Sequence, residues 1–381
     1  MWKNAFYDSE IILTFEPTTQ CNAACPQCTR FVKGDTTQIV DWIDLGQWTI
    51  DDFKSMISRK DLKRCKEIQF CGTYGDPIIC RDLIPIVRYC MESNPWLKIV
   101  INTNGSARTE EWWWELGETV KRLAAKRTVK VVDESMNIGE MEFDRKPKLV
   151  VVFAIDGATQ ERHERYRQNT NLEVILDNME TVAAAGAKVT VQTILFDHNK
   201  NDLEEIKRMT AERGAVFWTA IESQRFNNDQ PMTFKTKKGE VTLAPFVKEE
   251  EIESTEDTRF LEVEKYTQKR NNQEVNMIPV KNLPAYEITC RWGRELKRLN
   301  ITYEGTVWPC CYVEWSGRRN MNGHNEDFRF TEFVDDNKSF NLKHSTLSEI
   351  METSFYSNAE ERTENTDYAD SKCFLHCGKK I

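Results

Sequence analysis

The sequence has no long apolar run. Across 381 residues the longest, around Leu149–Ile155, is strand-sized. A helix spanning a bilayer needs roughly 18–20 apolar residues. The opening MWKNAFYDSE lacks the charged-then-apolar pattern of a secretory signal. The chain is therefore expected to be cytoplasmic and to have no membrane partner. Basic charge is also scarce. There are 52 Lys and Arg against 61 Asp and Glu, a net charge of -9. Nucleic-acid binders carry a basic footprint, so no nucleic-acid partner is expected. The one basic run, KRLAAKRTVK at 121–130, reads as a solvated helix face. No internal repeat is visible, and there are only five histidines.

Cysteine, in contrast, is abundant. Twelve are present, but none lies between Cys90 and Cys290. In a reducing compartment, cysteines in such number point to metal binding or catalysis ahead of disulfides. Three fall at 21–28, four are scattered at 65, 71, 80 and 90, and five lie in the last quarter. The gap argues for two separate metal sites. Cys65, Cys71, Cys80 and Cys90 have no ligand spacing and read as small buried hydrophobes.

Strand-like and helix-like segments alternate through the first two-thirds. Strands are predicted at 11–15, 67–71, 98–102, 148–155, 188–196 and 215–221. Helices are predicted at 49–56, 83–93, 110–126, 171–185 and 202–213, with Gly186 and Gly214 closing the last two. Thr49 ahead of Asp51 and Asp52 has the look of a capped start. The strands are apolar on both faces, as in a parallel sheet. Six β/α units are fewer than a full eight, so the fold is predicted to be a partial (β/α)6 TIM-like barrel. Its site should be built on the loops after the strands. Polar residues from about 224 to 287 break the rhythm and read as an insertion with one helix at 258–270. The last part is a small α+β unit in which NITYEGTVW (300–308) forms a hairpin turning at Glu304-Gly305. The expected divisions are 1–225, 226–285 and 286–381. Of Trp112, Trp113 and Trp114, at most two can face the core of one helix.

TTQCNAACPQCTRF carries Cys21, Cys25 and Cys28 on one loop, spaced C-x3-C-x2-C. Three thiolates can hold three irons of a four-iron cluster and leave the fourth without a protein ligand. An open position is what a catalytic metal site keeps, whereas a structural site closes it. CNAACPQC resembles the signature of the radical S-adenosylmethionine (SAM) superfamily. The resemblance implies that SAM occupies the open iron of a [4Fe-4S] cluster. It implies too that reductive cleavage gives a 5′-deoxyadenosyl radical, which abstracts hydrogen from a substrate. Gln27 stands where many members carry an aromatic residue, and Phe31 could supply that packing instead.

Further segments match in order. GTYGDP (72–77) resembles the Gly-Gly-Glu-Pro segment that receives the SAM amino group, which implicates Gly75, Asp76 and Pro77. Asn104, within Asn102–Gly105, matches the Thr-Asn-Gly end of the third strand. AIDGATQERHERYR (154–167) resembles a Ser-x-Asp-Gly…His…Arg stretch. It implies that Asp156 orients the site or binds ribose and that Arg167 pairs with the SAM carboxylate; Ala154 replaces the usual Ser. DHNKNDLEEI (197–206) resembles the Asn-containing loop after the fifth strand.

Cys290, fourteen residues, Gly305, four residues and Cys310 resemble the opening of the SPASM and twitch extensions of radical SAM enzymes. With Cys373 and Cys377 the set closes on four, which implies a single auxiliary [4Fe-4S] cluster as in the shorter twitch domain. Cys310 and Cys311 compete for one position, and the spacing favours Cys310. A zinc site stays open, since either metal would be held by thiolates alone. A closed cluster suits electron transfer, accepting one electron from a substrate radical. The enzyme implied is an oxidoreductase on a small molecule, fed by a flavodoxin- or ferredoxin-type donor. A peptide-modifying maturase is the alternative, and a non-catalytic iron–sulfur or zinc protein the reading from another class. Tyr74, Gln192 and Trp218 sit near strand ends and could line the pocket.

Overall fold

The computed structural model describes residues 1–123, 125–132, 138–145, 148–223, 225–226, 230–247, 286–322, 328–365, 368–370, 373 and 377–380. Six strands form the barrel wall: β1 (Ile11–Phe15), β2 (Cys65–Phe70), β3 (Lys98–Thr103), β4 (Lys148–Ala154), β5 (Lys188–Leu195) and β6 (Ala215–Glu222). All neighbours among them pair in parallel. They lie in chain order across the sheet, which continues past β1 into β7 (Arg298–Ile301) and β8 (Val307–Trp308). The fold is the partial barrel that the alternation predicts.

Each strand turns one side chain in two outward against the helices. On β1 these are the fully buried Ile11, Leu13 and Phe15; on β5 they are Val189 and Val191. The opposite set faces the lumen and is half-buried, with polar Thr14, Thr190 and Gln192 among apolar Ile12, Val150, Val152 and Ile194. Thr14 meets Gln69 across β1 and β2, their Oγ1 and Oε1 3.4 Å apart. Gln192 pairs in register with Ala154 and Thr219. Helix caps follow the sequence. Thr49 and Asp52 form a reciprocal capping box at Ile50–Met56, and Asn171 caps Leu172–Ala185, which ends at Gly186 with φ 120°.

Three segments differ from the sequence reading. The helix expected to reach residue 126 ends at Leu123. The basic run after it enters a strand, Ala125–Val132, paired antiparallel with Ile138–Arg145. Four of the five residues in its Thr-Val-Lys-Val-Val are β-branched, and that outweighed the helical pattern before it. The polar segment after β6 holds a second hairpin, Met232–Thr236 with Gly239–Leu243, where alternating Met, Phe, Val and Leu were masked by lysines. It joins Asp35–Ile39 in a four-stranded sheet. The helix expected at 258–270 lies outside the described residues. The NITYEGTVW hairpin forms with Gly305 at φ 94°, and it extends the barrel sheet because β7 pairs in parallel with β1. Trp113 is buried and Trp114 is exposed. Among the described residues no helix is long and apolar enough to cross a membrane.

Candidate functional site: two cysteine centres

The loop after β1 carries Cys21, Cys25 and Cys28. Cys25 is buried and the other two are half-buried; none is in a disulfide. The Cys28 N–H donates to the Cys25 carbonyl at 2.9 Å, so this part of the loop is a tight turn. The three side chains share one apolar cluster with Ala23, Tyr166, Phe196, Phe226, Phe234 and Leu243. The hairpin at 232–243 is therefore a wall of this site. Burial pushes the Cys21 thiol up, reinforced by Asp76 and the two neighbouring sulfurs. Cys25 is pushed up to about 11 by burial, with the Arg167 charge opposing. Such thiols ionise only when a metal or cation replaces the lost water.

Asp76 approaches this loop from the mouth of β2. Its N–H donates to the Gln20 carbonyl at 2.8 Å. Gly75 is fixed by space, since a Cβ there would lie 1.9 Å from the Thr18 oxygen. Asp76 Oδ2 accepts from both the backbone N–H and the Nδ2 of Asn104, each at 2.7 Å. The same Nδ2 lies 2.9 Å from Asn22 Oδ1 and 3.7 Å from Cys21 Sγ. Pro77 opens a one-turn 3-10 helix whose Ile78 N–H is capped by Asp76 Oδ1. Burial raises the Asp76 pKa, against the Asn104 and Ile78 N–H groups and the Arg167 charge.

Asp156 and Arg167 approach from the mouth of β4. Arg167 Nε donates to Asp156 Oδ2 at 2.5 Å, and its Nη1 lies 3.9 Å from Cys25 Sγ. Asp156 Oδ1 accepts from the Ile194 N–H at 2.6 Å. Behind them sits His163, fully buried. Its Nδ1 accepts the Asp156 N–H at 3.2 Å, and its Nε2 faces Thr170 Oγ1 at 3.0 Å. The Thr170 hydroxyl donates to the Arg167 carbonyl. Nε2 is then the donor and the imidazole is neutral, in line with burial and the Arg167 charge, which push its pKa down to about 3. The structure thus brings Gly75, Asp76, Pro77, Asn104, Asp156 and Arg167 to the three thiols. His163 joins the Asp156–Arg167 pair and Asn22 the Asp76–Asn104 pair; the sequence placed His163 in a matching stretch without giving it a role.

Gln27 is buried. Its Oε1 accepts from Ser223 Oγ at 2.7 Å and its carbonyl from Arg225 Nη1 at 2.5 Å. Its Nε2 has no partner among the described residues, a donor that fits a polar acceptor on a bound group. Phe31 lies under the Arg30 guanidinium at 5.3 Å.

The second centre lies beyond β7. Cys290, Cys310, Cys373 and Cys377 line one cavity together with Trp2, Trp292, Pro309 and Tyr312. Cys310 caps the helix Cys311–Met321, its Sγ accepting the Val313 N–H at 3.4 Å. Burial pushes Cys290 up to about 12, with the Gly293 N–H opposing. Cys311 does not line the cavity. It turns to Glu314 and Cys71, which with burial push it up to about 12. Cys71 is half-buried, unlike the buried Cys65, Cys80 and Cys90. Tyr74 is buried, Gln192 is in the lumen, and Trp218 Nε1 donates to Thr193 Oγ1 at 3.0 Å.

Between the two centres runs a buried ionic network. Arg318 Nη1 lies 3.0 Å from Glu16 and 3.6 Å from Glu314, while its Nη2 lies 2.7 Å from Glu304. Burial and the Glu16 charge lift Glu314 to about 7. Among the described residues no three or more His, Cys, Asp or Glu side chains converge closely enough to hold a single metal ion.

Residues 290–378 match the model of the SPASM family, an iron–sulfur cluster-binding domain. No curated protein matches the sequence. Among solved structures, SuiB of Streptococcus suis bound to S-adenosylmethionine aligns with a TM-score of 0.51 at 12% identity, over 96% of this chain and 70% of that one. SuiB bound to the precursor peptide SuiA gives 0.51 at 13% identity, over 96% and 69%. Native anSMEcpe with bound AdoMet and the Cp18Cys peptide gives 0.48 at 13% identity, over 91% and 82%. At these identities the SuiB likeness is one of fold.

Proposed function

We propose that this chain, with the fold of SuiB and a match to the SPASM iron–sulfur domain, is a radical SAM enzyme with one auxiliary cluster. One observation carries the reading. Asp76, Asn104 and the Asp156–Arg167 pair converge from three strand ends on Cys21 and Cys25, so a carboxylate and a guanidinium stand beside a three-thiol loop. Cys21, Cys25 and Cys28 would hold a [4Fe-4S] cluster, and Cys290, Cys310, Cys373 and Cys377 the auxiliary one. A cube of iron and sulfide takes one thiolate per corner, so its ligands stand farther apart than those of a single ion.

Bound SAM on a reduced cluster supplies a 5′-deoxyadenosyl radical. The chain's residues orient that cofactor. Asp76 presents a carboxylate fit for an ammonium, and the Arg167 guanidinium suits a carboxylate. Asp156 holds the guanidinium in place, with neutral His163 behind it. Tyr166 and the hairpin around Phe234 exclude water from the cysteine loop. The auxiliary cluster would accept the one electron given up by the substrate radical. A flavodoxin- or ferredoxin-type donor would feed the first cluster.

The substrate class is a small molecule to be oxidised, taken in a lumen of amides and hydroxyls at Thr14, Gln69, Gln192 and Thr219. The fold shared with SuiB, whose structure holds the precursor peptide SuiA, favours peptide modification as the second reading. The test is anaerobic reconstitution, an iron and sulfide count, and a search for 5′-deoxyadenosine after dithionite and SAM. About eight irons per chain with the nucleoside formed supports both cluster assignments. No bound iron overturns the reading.

A further inference from the structure

The second cysteine cavity is closed by a segment far from it in sequence. Trp2 lines the cavity beside Cys290, Cys310, Cys373 and Cys377, and its side chain is fully buried. Its Nε1 donates to the Arg298 carbonyl of β7 at 2.8 Å. Its ring meets Tyr356 edge-on at 5.9 Å. The helix that carries it, Trp2–Tyr7, is tied to Glu352 by Lys3 Nζ at 2.6 Å and by the Tyr7 hydroxyl at 2.8 Å. The ring is thus held from several sides and has no freedom to leave alone.

A second observation comes from Gly293. Its backbone is not in the left-handed region, so conformation does not demand glycine. Space does. A Cβ there would lie 2.8 Å from Met1 Sδ and 3.1 Å from Trp2 Cζ2. Gly293 lies in the turn opened by Cys290. Residues 1 and 2 therefore pack directly against the turn that carries one of the thiols.

We propose that Trp2 is the positioning residue of the auxiliary centre: it seals the four-cysteine cavity from solvent and fixes the Cys290 turn. The proposal rests on the assignment of a cluster to these four cysteines. Solvent access sets the potential of an iron–sulfur centre and how readily it is lost. A four-thiolate cluster gains negative charge on reduction, and water stabilises the more highly charged state. Opening the seal should raise its midpoint potential.

The test compares wild type with W2A, W2F and a C310S/C373S control, all reconstituted anaerobically. Iron loss to a ferrous chelator and the midpoint potential from EPR redox titration are read, with the SAM-dependent EPR change of the first cluster as an internal reference. W2A is expected to lose only the auxiliary iron several-fold faster and to show a raised potential for that centre. W2F, which keeps an aromatic ring, should stay near wild type. W2L takes the place of W2A if the latter does not fold. Equal chelation rate and potential in wild type and W2A, or in W2L where it stands in, would overturn the proposal. If C310S/C373S holds as much iron as wild type, the cluster assignment fails and the proposal with it. That outcome is visible before Trp2 is changed.

Discussion

At the scale of single residues, the candidate SAM site depends on buried polar groups that satisfy one another. Asp76 accepts both Asn104 donors. Asp76→Ala would leave the Asn104 backbone N–H unpaired where water does not reach, while its Nδ2 keeps Asn22 Oδ1, at a cost of about 1–3 kcal/mol. The expected outcome is a chain that still binds iron at Cys21, Cys25 and Cys28 but neither retains SAM in equilibrium dialysis nor forms 5′-deoxyadenosine. His163 gives a pH signature. Its pKa in the fold is about 3 against an ordinary 6.5. The unfolded chain therefore takes up the proton first as pH falls. The stability this group contributes is complete above about 6.5 and is lost progressively as pH drops from there toward 3. A proton on Nδ1 would oppose the Asp156 N–H that it now accepts. His163→Asn can keep an acceptor near Nδ1 and cannot titrate. Relative to its own value at pH 7, it should lose less stability than wild type between pH 6.5 and 4 in urea unfolding followed by circular dichroism. An equal loss in both proteins would remove His163 from the account.

At the scale of elements, what the sequence revealed and what it hid have physical causes. The six barrel strands were legible because parallel strands buried on two faces leave continuous apolar runs such as KLVVVFA. Asp76 and Asn104 were picked out as motif positions because they sit in the loops that follow β2 and β3. The hairpin at 232–243 was not, because its alternation is interrupted by Lys235, Lys237 and Lys238. The strand at 125–132 was hidden by a basic run that suits a helix equally well. His163 stood in a matching stretch without a role, because its contacts to Asp156 and Thr170 form only in the fold, and Trp2 gave no local signal, because its partner Arg298 is distant in the sequence. The hairpin makes an element-scale prediction. Phe234 is nearly fully buried against the cysteine loop. Phe234→Ala should cost about 3–5 kcal/mol if the cavity stays open, and it should speed iron loss from the first cluster ahead of the auxiliary one. Site-resolved Mössbauer or EPR counting during chelation checks the order. Simultaneous loss from both centres would mean that the hairpin supports the fold at large and not this loop.

At the scale of the whole molecule, the last quarter of the chain is built into the barrel sheet. β7 sits beside β1, and the loop after β1 carries the first three cysteines. Arg318 reinforces that join. It lies on the helix that Cys310 caps, and it reaches Glu16, the residue after β1. Both side chains are almost wholly buried, at 6% and 4% exposure. Glu304 and Glu314 share the same guanidinium. Two buried carboxylates around one cation leave no slack, and burial already raises the pKa of Glu16. Removing the cation strands these charges. Arg318→Ala is expected to cost about 3–5 kcal/mol, as breaking a buried pair does. Replacing both partners by apolar groups of similar volume, Glu16→Leu with Arg318→Met, should recover most of that loss. Because β7 belongs to the barrel sheet, the two cysteine centres should also report one transition. In urea unfolding of the metal-free chain, far-UV circular dichroism and tryptophan emission should fall together in wild type. A separate early transition for the last quarter, unchanged by Arg318→Ala, would show that the ionic network does not couple the two centres.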